Sequence, residues 1–385
     1  MAETWSDVAA ATRVVHAGLD PDPATGAVVP PLHLSSTFAQ DRVGVPHAGY
    51  EYARSANPTR AAFETSLAAL ESPQAPALGL AFASGLAASD TLLRTVLRPG
   101  DHVVLADDVY GGTYRLLATS YRDWGVQVEQ VNLSDLDAAR AAVRPGRTRL
   151  VWVETPSNPT LSIADIAALA EIGHSAGAVV AVDNTFATPI LQQPLALGAD
   201  IVLHSATKYL GGHGDVMGGV LAFREDGAHA ADCHDLRLLA GATASPFAAW
   251  MILRGVRTLP ARMAWHCANA KQIAAALQAH PRVARVHYPG LPDHPQHAVA
   301  AAQMREFGGM LSFEVDGGEA AALAVAGRLR LFTSATSLGS TESLVEHRAS
   351  IEGPTSTTPR GLLRLSVGLE HAQDLLDDLA QALDA

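Results

Sequence analysis

Residues 179–208 open with Val179-Val180-Ala181-Val182-Asp183-Asn184-Thr185-Phe186 and close with Ile201-Val202-Leu203-His204-Ser205-Ala206-Thr207-Lys208. Each end is a short apolar run, rich in β-branched residues, that stops at a polar side chain. That is the pattern of a strand buried on both faces. The separation from Asp183 to Lys208, 25 residues, leaves room for one helix and one strand between the two groups. The same texture recurs at Leu78 to Phe82, His102 to Ala106, Leu150 to Glu154 and Val220 to Phe223, with Ala- and Leu-rich helical stretches between the runs. Strands of this kind alternating with helices predict an α/β fold with a mostly parallel central sheet covered on both faces. Ligands are expected at its carboxyl edge.

Outward from this block the texture changes on both sides. Residues 1–60 place Pro21, Pro23, Pro30, Pro31, Pro46 and Pro58 among polar and small residues, which favours extended segments and turns. A stretch this long is not an idle loop, so it is expected to be an arm lying on a neighbouring subunit. Residues 61–245 carry the predicted sheet and form the ligand-binding domain. Residues 246–385, with helical patterns at Ala248 to Arg257, Arg262 to Ala279 and Ala372 to Leu383 and strands at Met310 to Val315 and Leu362 to Val367, read as a smaller α+β domain; Gly241 and Pro246 mark the boundary.

The chain has 385 residues, 48% of them hydrophobic and 17% charged, which is the composition of a folded globular protein. A formal charge of -12 without any long basic run argues against nucleic acid. Two cysteines, Cys233 and Cys267, cannot make a disulfide framework and lack metal-ligand spacing, so they read as buried thiols and no metal is expected. The start, Met1 to Asp7, lacks a basic and then apolar leader, and no later segment reads as a membrane span. A cytoplasmic location is expected.

The chemistry-bearing residues gather at predicted strand ends. Lys208 follows a buried strand, stands beside Ser205 and Thr207 and precedes Gly211-Gly212-His213-Gly214. An amine there, its pKa lowered by desolvation, can form an imine with an aldehyde cofactor whose phosphate the two hydroxyls hold. Taken alone it is an ordinary surface lysine; its neighbours change the balance. Asp183, one strand earlier, would need a cationic partner if buried, and a protonated pyridine nitrogen supplies one. By itself it reads as a turn-former. Ser84, Gly85 and Leu86, between a strand and a helix, can offer backbone N–H groups to an anion, or simply cap the helix. Tyr110, followed by Gly111 and Gly112, can stack on a flat ring or fill the core. Asn158, between Pro156 and Pro159, is a rigidly held amide suited to the ring's hydroxyl. Arg364, inside an alternating run, suits an α-carboxylate, the alternative being an ion pair with Glu370 or another acid.

Together these stretches resemble a known family. Tyr52-Ala53-Arg54-Ser55-Ala56-Asn57-Pro58-Thr59-Arg60, Glu154 to Pro159, Asp183 to Pro189, Ser205 to Tyr209 and Arg364 to Leu369 are similar, in the same order, to the Cys/Met-metabolism pyridoxal-phosphate (PLP) enzymes. The resemblance implies a fold-type I, aspartate-aminotransferase-like architecture, pyridoxal 5'-phosphate as cofactor, and a homotetramer built as a dimer of dimers. It makes Lys208 the Schiff-base lysine, Asp183 the partner of the pyridine nitrogen and Tyr110 the stacking ring and proton shuttle. Gly85, Leu86, Ser205 and Thr207 would bind the phosphate, with Tyr52 and Arg54 arriving from the adjacent subunit. Asn158, Ser337, Arg364 and Arg115 would hold the amino-acid substrate.

Within the family, Val28 to Thr37 and Tyr110 to Arg115 look most like cystathionine γ-synthases, and Gly112 stands where methionine γ-lyases usually carry cysteine. Thr336 replaces the glutamate usual in γ-synthases and γ-lyases, Ser55 replaces an arginine of succinyl-using synthases, and His347 to Pro354 departs from the familiar tract. The expected reaction is γ-replacement on an activated homoserine by a thiol. The alternatives are γ-elimination from cystathionine, methionine γ-lyase or O-acylhomoserine sulfhydrylase activity, and a non-catalytic PLP-binding protein.

Overall fold

The computed structural model describes residues 5–224, 227, 229–353 and 358–385; Met1 to Thr4 of the chain start, and Pro354 of the departing tract, lie outside the described residues. Among these, seven strands make one sheet: β1 (Ala77–Phe82), β2 (His102–Ala106), β3 (Gln127–Val131), β4 (Thr148–Glu154), β5 (Val179–Asp183), β6 (Ile201–Ser205) and β7 (Gly219–Arg224). Their order is β1-β7-β6-β5-β4-β2-β3. The run β6-β5-β4-β2-β3 is parallel throughout, and β7 is antiparallel to both of its neighbours. The expected mostly parallel sheet is present.

β3 is the strand that the apolar-run reading passes over. It sits at the sheet edge beside β2 alone, and its polar residues Gln127, Glu129 and Gln130 are not those of a doubly covered strand. The central strands are buried along almost their whole length.

Local sequence starts the helices that flank this sheet. Helix α1 (Pro58–Glu71) has proline at its first position, and the Asn57 side chain accepts from the N–H groups of Thr59 and Arg60. Helix α2 (Gly85–Val96) is capped by Ser84, whose Oγ accepts from Ala87 N at 3.1 Å. The short α3 (Gly111–Leu116) follows Tyr110, and α4 (Ile166–Ser175) is capped by Asp165. Helix α5 (Pro246–Val256) begins two residues before the periodic pattern suggests, because Ser245 caps it and Pro246 fits the first turn.

A second sheet follows: β8 (Val283–His287), β9 (Met310–Val315), β10 (Thr333–Ser334), β11 (Leu344–Glu346) and β12 (Leu362–Ser366), ordered β8-β9-β12-β11-β10. Helices α6 (Leu259–Gln278) and α7 (Ala372–Asp384) cover it, and Ala270, Ile273 and Leu277 share a core with Phe313, Leu363, Leu365, Leu375 and Leu379. Phe63, Leu67 and Leu70 of α1 pack with Ala249, Ile252 and Leu253 of α5 in another cluster. Residues preceding α1 are tied to it by the buried Arg60, which donates to Ala53 O at 2.7 Å and Ser55 O at 3.1 Å, and to α5 by Trp250 Nε1 donating to Pro30 O at 3.2 Å. Farther out this segment leaves Val28, Leu34 and Val43 exposed, Val43 to 99%.

Candidate active site

A cavity of about 450 Å³ opens at the carboxyl ends of β4, β5 and β6 and is closed from the other side by residues around β11 and β12. Its position follows from strand polarity: parallel strands deliver their last residues to one edge. In register, Glu154 at the end of β4 stands beside Asp183 at the end of β5. Ser205 ends β6, and Lys208 follows three residues later.

Gly85, Leu86, Tyr110, Arg115, Asn158, Asp183, Ser205, Thr207, Lys208, Ser337 and Arg364 all line this one space. Tyr52 and Arg54 do not reach it within the chain: Tyr52 is 47% exposed, and Arg54 Nη1 donates to Leu238 O at 2.9 Å. Ser55 likewise stays with the arm, its Oγ donating to Tyr52 O at 2.7 Å, whereas Thr336 lines the cavity.

Lys208 Nζ donates to Ser337 Oγ at 2.8 Å. Burial brings its pKa down from 10.5 to about 8; the Arg364 guanidinium adds to the fall, and the carboxylates of Glu346 and Asp183 oppose it. Asp183 is buried, and that burial raises its carboxyl above the ordinary range although the Thr185 N–H donates to Oδ1 at 3.0 Å. Glu154 is raised well above its ordinary value, first by burial and then by Asp183 next to it, while its Oε2 accepts from Tyr110 N at 2.8 Å. Burial of both acids side by side disfavours ionising the two together, and a cation brought into the cavity would relieve that cost.

One end of the cavity is a turn with no room for extra atoms. Gly85 starts α2 against Ser205, and a Cβ placed on it would lie 3.1 Å from the Ser205 Cβ. A Cβ on Gly219 of β7 would lie 2.2 Å from Ser84 O. The side chain of Ser84 is spent on Ala87, so the N–H groups of Gly85 and Leu86 are left at the helix start beside the hydroxyls of Ser205 and Thr207. Tyr110, 40% exposed, leans over Gly112, where a Cβ would come within 2.3 Å of its ring. A buried acid, a deprotonatable amine, an exposed aromatic face and an anion turn in one cavity fit a phosphorylated pyridine aldehyde.

Arg364 of β12 also lines the cavity. It is 3% exposed; Nη1 donates to Asn158 Oδ1 at 2.9 Å and Nη2 to Ser337 O at 2.8 Å. Its acid partner is Glu346, through an ion pair, and not Glu370, which accepts from Ser343 N at 2.6 Å and Ser343 Oγ at 2.8 Å. Sequence reasoning passed over Glu346 and Arg348, which also line the cavity, Arg348 Nε donating to Glu352 at 2.7 Å. It gave no role to Glu154, although a polar residue closing an apolar strand is the same signal that singles out Asp183. Thr185, whose Oγ1 accepts from Ser205 N at 2.8 Å, was quoted without a role too.

Residues 11–384 match the family described as Cys/Met metabolism PLP-dependent enzyme. The chain is 54% identical over 378 residues to a cystathionine gamma-synthase of Mycobacterium bovis, covering 97% of this chain and 96% of that protein. It is 45% identical over 383 residues to a cystathionine gamma-lyase of Bacillus subtilis, covering 97% and 98% respectively. The crystal structure of metB from Corynebacterium glutamicum superposes with a TM-score of 0.94 at 46% identity, over 98% of both chains.

Proposed function

The chain belongs to the Cys/Met-metabolism PLP-dependent enzymes, and from that premise we propose that it performs γ-replacement of the cystathionine γ-synthase kind, joining a thiol to an O-activated homoserine. It is a PLP-dependent enzyme acting on small amino-acid substrates. When bound, the cofactor supplies an electron sink for a carbanion beside the substrate's amino group. Lys208 would carry it covalently, Asp183 would meet its ring nitrogen, Tyr110 would lie against its ring, and Gly85, Leu86, Ser205 and Thr207 would hold its phosphate. Asn158 would meet the ring hydroxyl.

The chain's own groups then divide the work. Lys208 Nζ, held by Ser337 and partly neutral near pH 7, takes the α-proton and can pass it on. Arg364, with Asn158 and Ser337 beside it, would fix the α-carboxylate, and Arg115, which lines the same cavity, would contribute to substrate binding. Tyr110, which lines the same cavity as Lys208, would exchange a proton with Lys208 or the leaving group through its hydroxyl. The observation that carries this reading is the placement of a buried, forked arginine in the same cavity as a lysine whose amine titrates near 8.

Replacement rather than methionine breakdown is supported by Gly112: its Cα faces the Tyr110 ring so closely that a cysteine side chain would displace the tyrosine. A second reading, γ-elimination from cystathionine to cysteine, 2-oxobutanoate and ammonia, is favoured by Ser55, which provides no cationic group for a succinyl donor. Purified holoenzyme is to be incubated with cystathionine, methionine and O-acyl or O-phospho homoserine, with and without cysteine. Cystathionine formed only when cysteine and an activated homoserine are both present is the expected result; 2-oxobutanoate from cystathionine as the dominant product transfers the assignment to the lyase, and no turnover with bound cofactor leaves only a binding protein. The reading also places the chain in a cytoplasmic homotetramer, in which residues 1–60 carry Tyr52 and Arg54 to the neighbour's phosphate site. The exposed apolar side chains of Val28, Leu34 and Val43 support that placement.

A further inference from the structure

Asn158 is held by few main-chain contacts: the Ser157 N–H donates to Ser162 O at 3.0 Å within the same turn, and Pro159 O accepts from Ser312 Oγ at 2.7 Å. Pro156 and Pro159 lack N–H donors, so a ladder or turn has little to grip in this segment. Yet Asn158 is 4% exposed and meets Arg364 at 2.9 Å.

The grip comes from outside the cavity. Asp108 follows β2, two residues before Tyr110, and one of its oxygens, Oδ2, accepts from Ser157 Oγ at 2.5 Å, from Thr160 N at 3.2 Å and from the Thr160 hydroxyl. Ser157 Oγ in turn accepts from Ser162 N at 2.9 Å. In the opposite direction Glu154, on the segment that carries Asn158, accepts from the N–H of Tyr110 at 2.8 Å. The two loops are therefore bolted to each other twice, each carboxylate sitting on one loop and gripping the other. Asp108 does not line the cavity.

We propose that Asp108 is a positioning residue that acts through Asn158, locking the Ser157–Thr160 turn to the loop of Tyr110 so that the substrate-holding amide and the aromatic ring keep one fixed spacing. The inference rests on the reading of Asn158 as a group that contacts cofactor and substrate. A helix cap or turn-former needs one or two bonds to its own segment. Three donors from another loop, converging on one carboxylate oxygen from both sides of Asn158, serve the placement of that residue. Charge-assisted bonds of this kind are the strong class, and displacing a binding group by about 1 Å costs on the order of 100-fold in rate.

The test is a double-mutant cycle on the holoenzyme, with hydrogen exchange on the apo protein as a readout free of turnover. Asp108→Ala is expected to lower kcat/KM on the order of 10- to 100-fold, and to add less than about twofold in an Asn158→Ala background. In the apo protein it is expected to speed amide exchange in peptides spanning 155–163 while peptides of α6 keep their protection. Full multiplication of the two losses, or unchanged exchange in 155–163, overturns the proposal. If Asn158→Ala itself has the parent kcat/KM, the reading of Asn158 falls, and the inference with it; a loss for Asn158→Ala with none for Asp108→Ala sinks the inference alone. Should Asp108→Ala not fold, Asp108→Asn keeps an acceptor oxygen and enters the same cycle with a smaller loss.

Discussion

Lys208 and Lys271 are the chain's lysines, which makes the amine chemistry directly measurable. Lys271 lies exposed on α6 and serves as the internal reference. A fall from 10.5 to about 8 raises the neutral share of the Lys208 amine at pH 7 from roughly 0.03% to roughly 9%, about 300-fold. Trace acylation of apo enzyme between pH 6 and 11, followed by peptide mapping, is therefore expected to label Lys208 with a midpoint near 8. Burial lowers the pKa by disfavouring the ammonium, and Arg364 lowers it further by repulsion, so the sign for an arginine variant is fixed. Arg364→Gln removes the repulsion and leaves Glu346 facing the amine, and both changes favour the ammonium. The midpoint is expected to rise by about one unit or more, equivalent to about 1.4 kcal/mol of differential interaction. Circular dichroism establishes that the variant is folded. A wild-type midpoint near 10.5 refutes the desolvation argument, and a midpoint that stays or falls in Arg364→Gln refutes the electrostatic one.

Gly219→Ala puts a methyl group against Ser84 O, at 2.2 Å, and forces the Ser84–Gly85 turn outward. Equilibrium dialysis should find cofactor affinity weakened roughly tenfold or more, the equivalent of about 1.4 kcal/mol of anion contacts; unchanged affinity removes the turn from the phosphate site. His204 and Glu71 form a hydrogen-bonded pair, at most 1% exposed, just below the site strands. His204→Ala leaves the Glu71 carboxylate with Asn184 Nδ2 at 3.5 Å, and denaturant unfolding should register a loss of about 3–5 kcal/mol. A loss under about 1 kcal/mol overturns the reading of the pair as a buried contact closed to water.

Much of the large sheet was legible because doubly buried parallel strands write themselves as uninterrupted apolar runs. Val179 to Asp183 and His102 to Ala106 agree with their observed strands residue for residue, as does Met310 to Val315 in the second sheet, where the strand is antiparallel to both neighbours but equally buried. Gln127–Val131 was not legible, since an edge strand has no need of an apolar run. Lys208, Asp183, Tyr110, Asn158 and Arg364 were picked out by residue type at strand ends and by the order of their motifs.

The primary structure by itself determined which strands form and which polar residues stand at their carboxyl ends, because burial on both faces and helix capping are decided within a dozen residues. Only the tertiary structure decided who meets whom at that edge. Arg364 reaches Asn158 across 206 positions, Glu346 rather than Glu370 becomes its ion-pair partner, and Glu154 comes to share burial with Asp183 through strand register. Sequence spacing carries no record of such contacts, since the distance between two strand ends depends on sheet order and on the closure of the second sheet over the first, not on the residues that separate them along the chain.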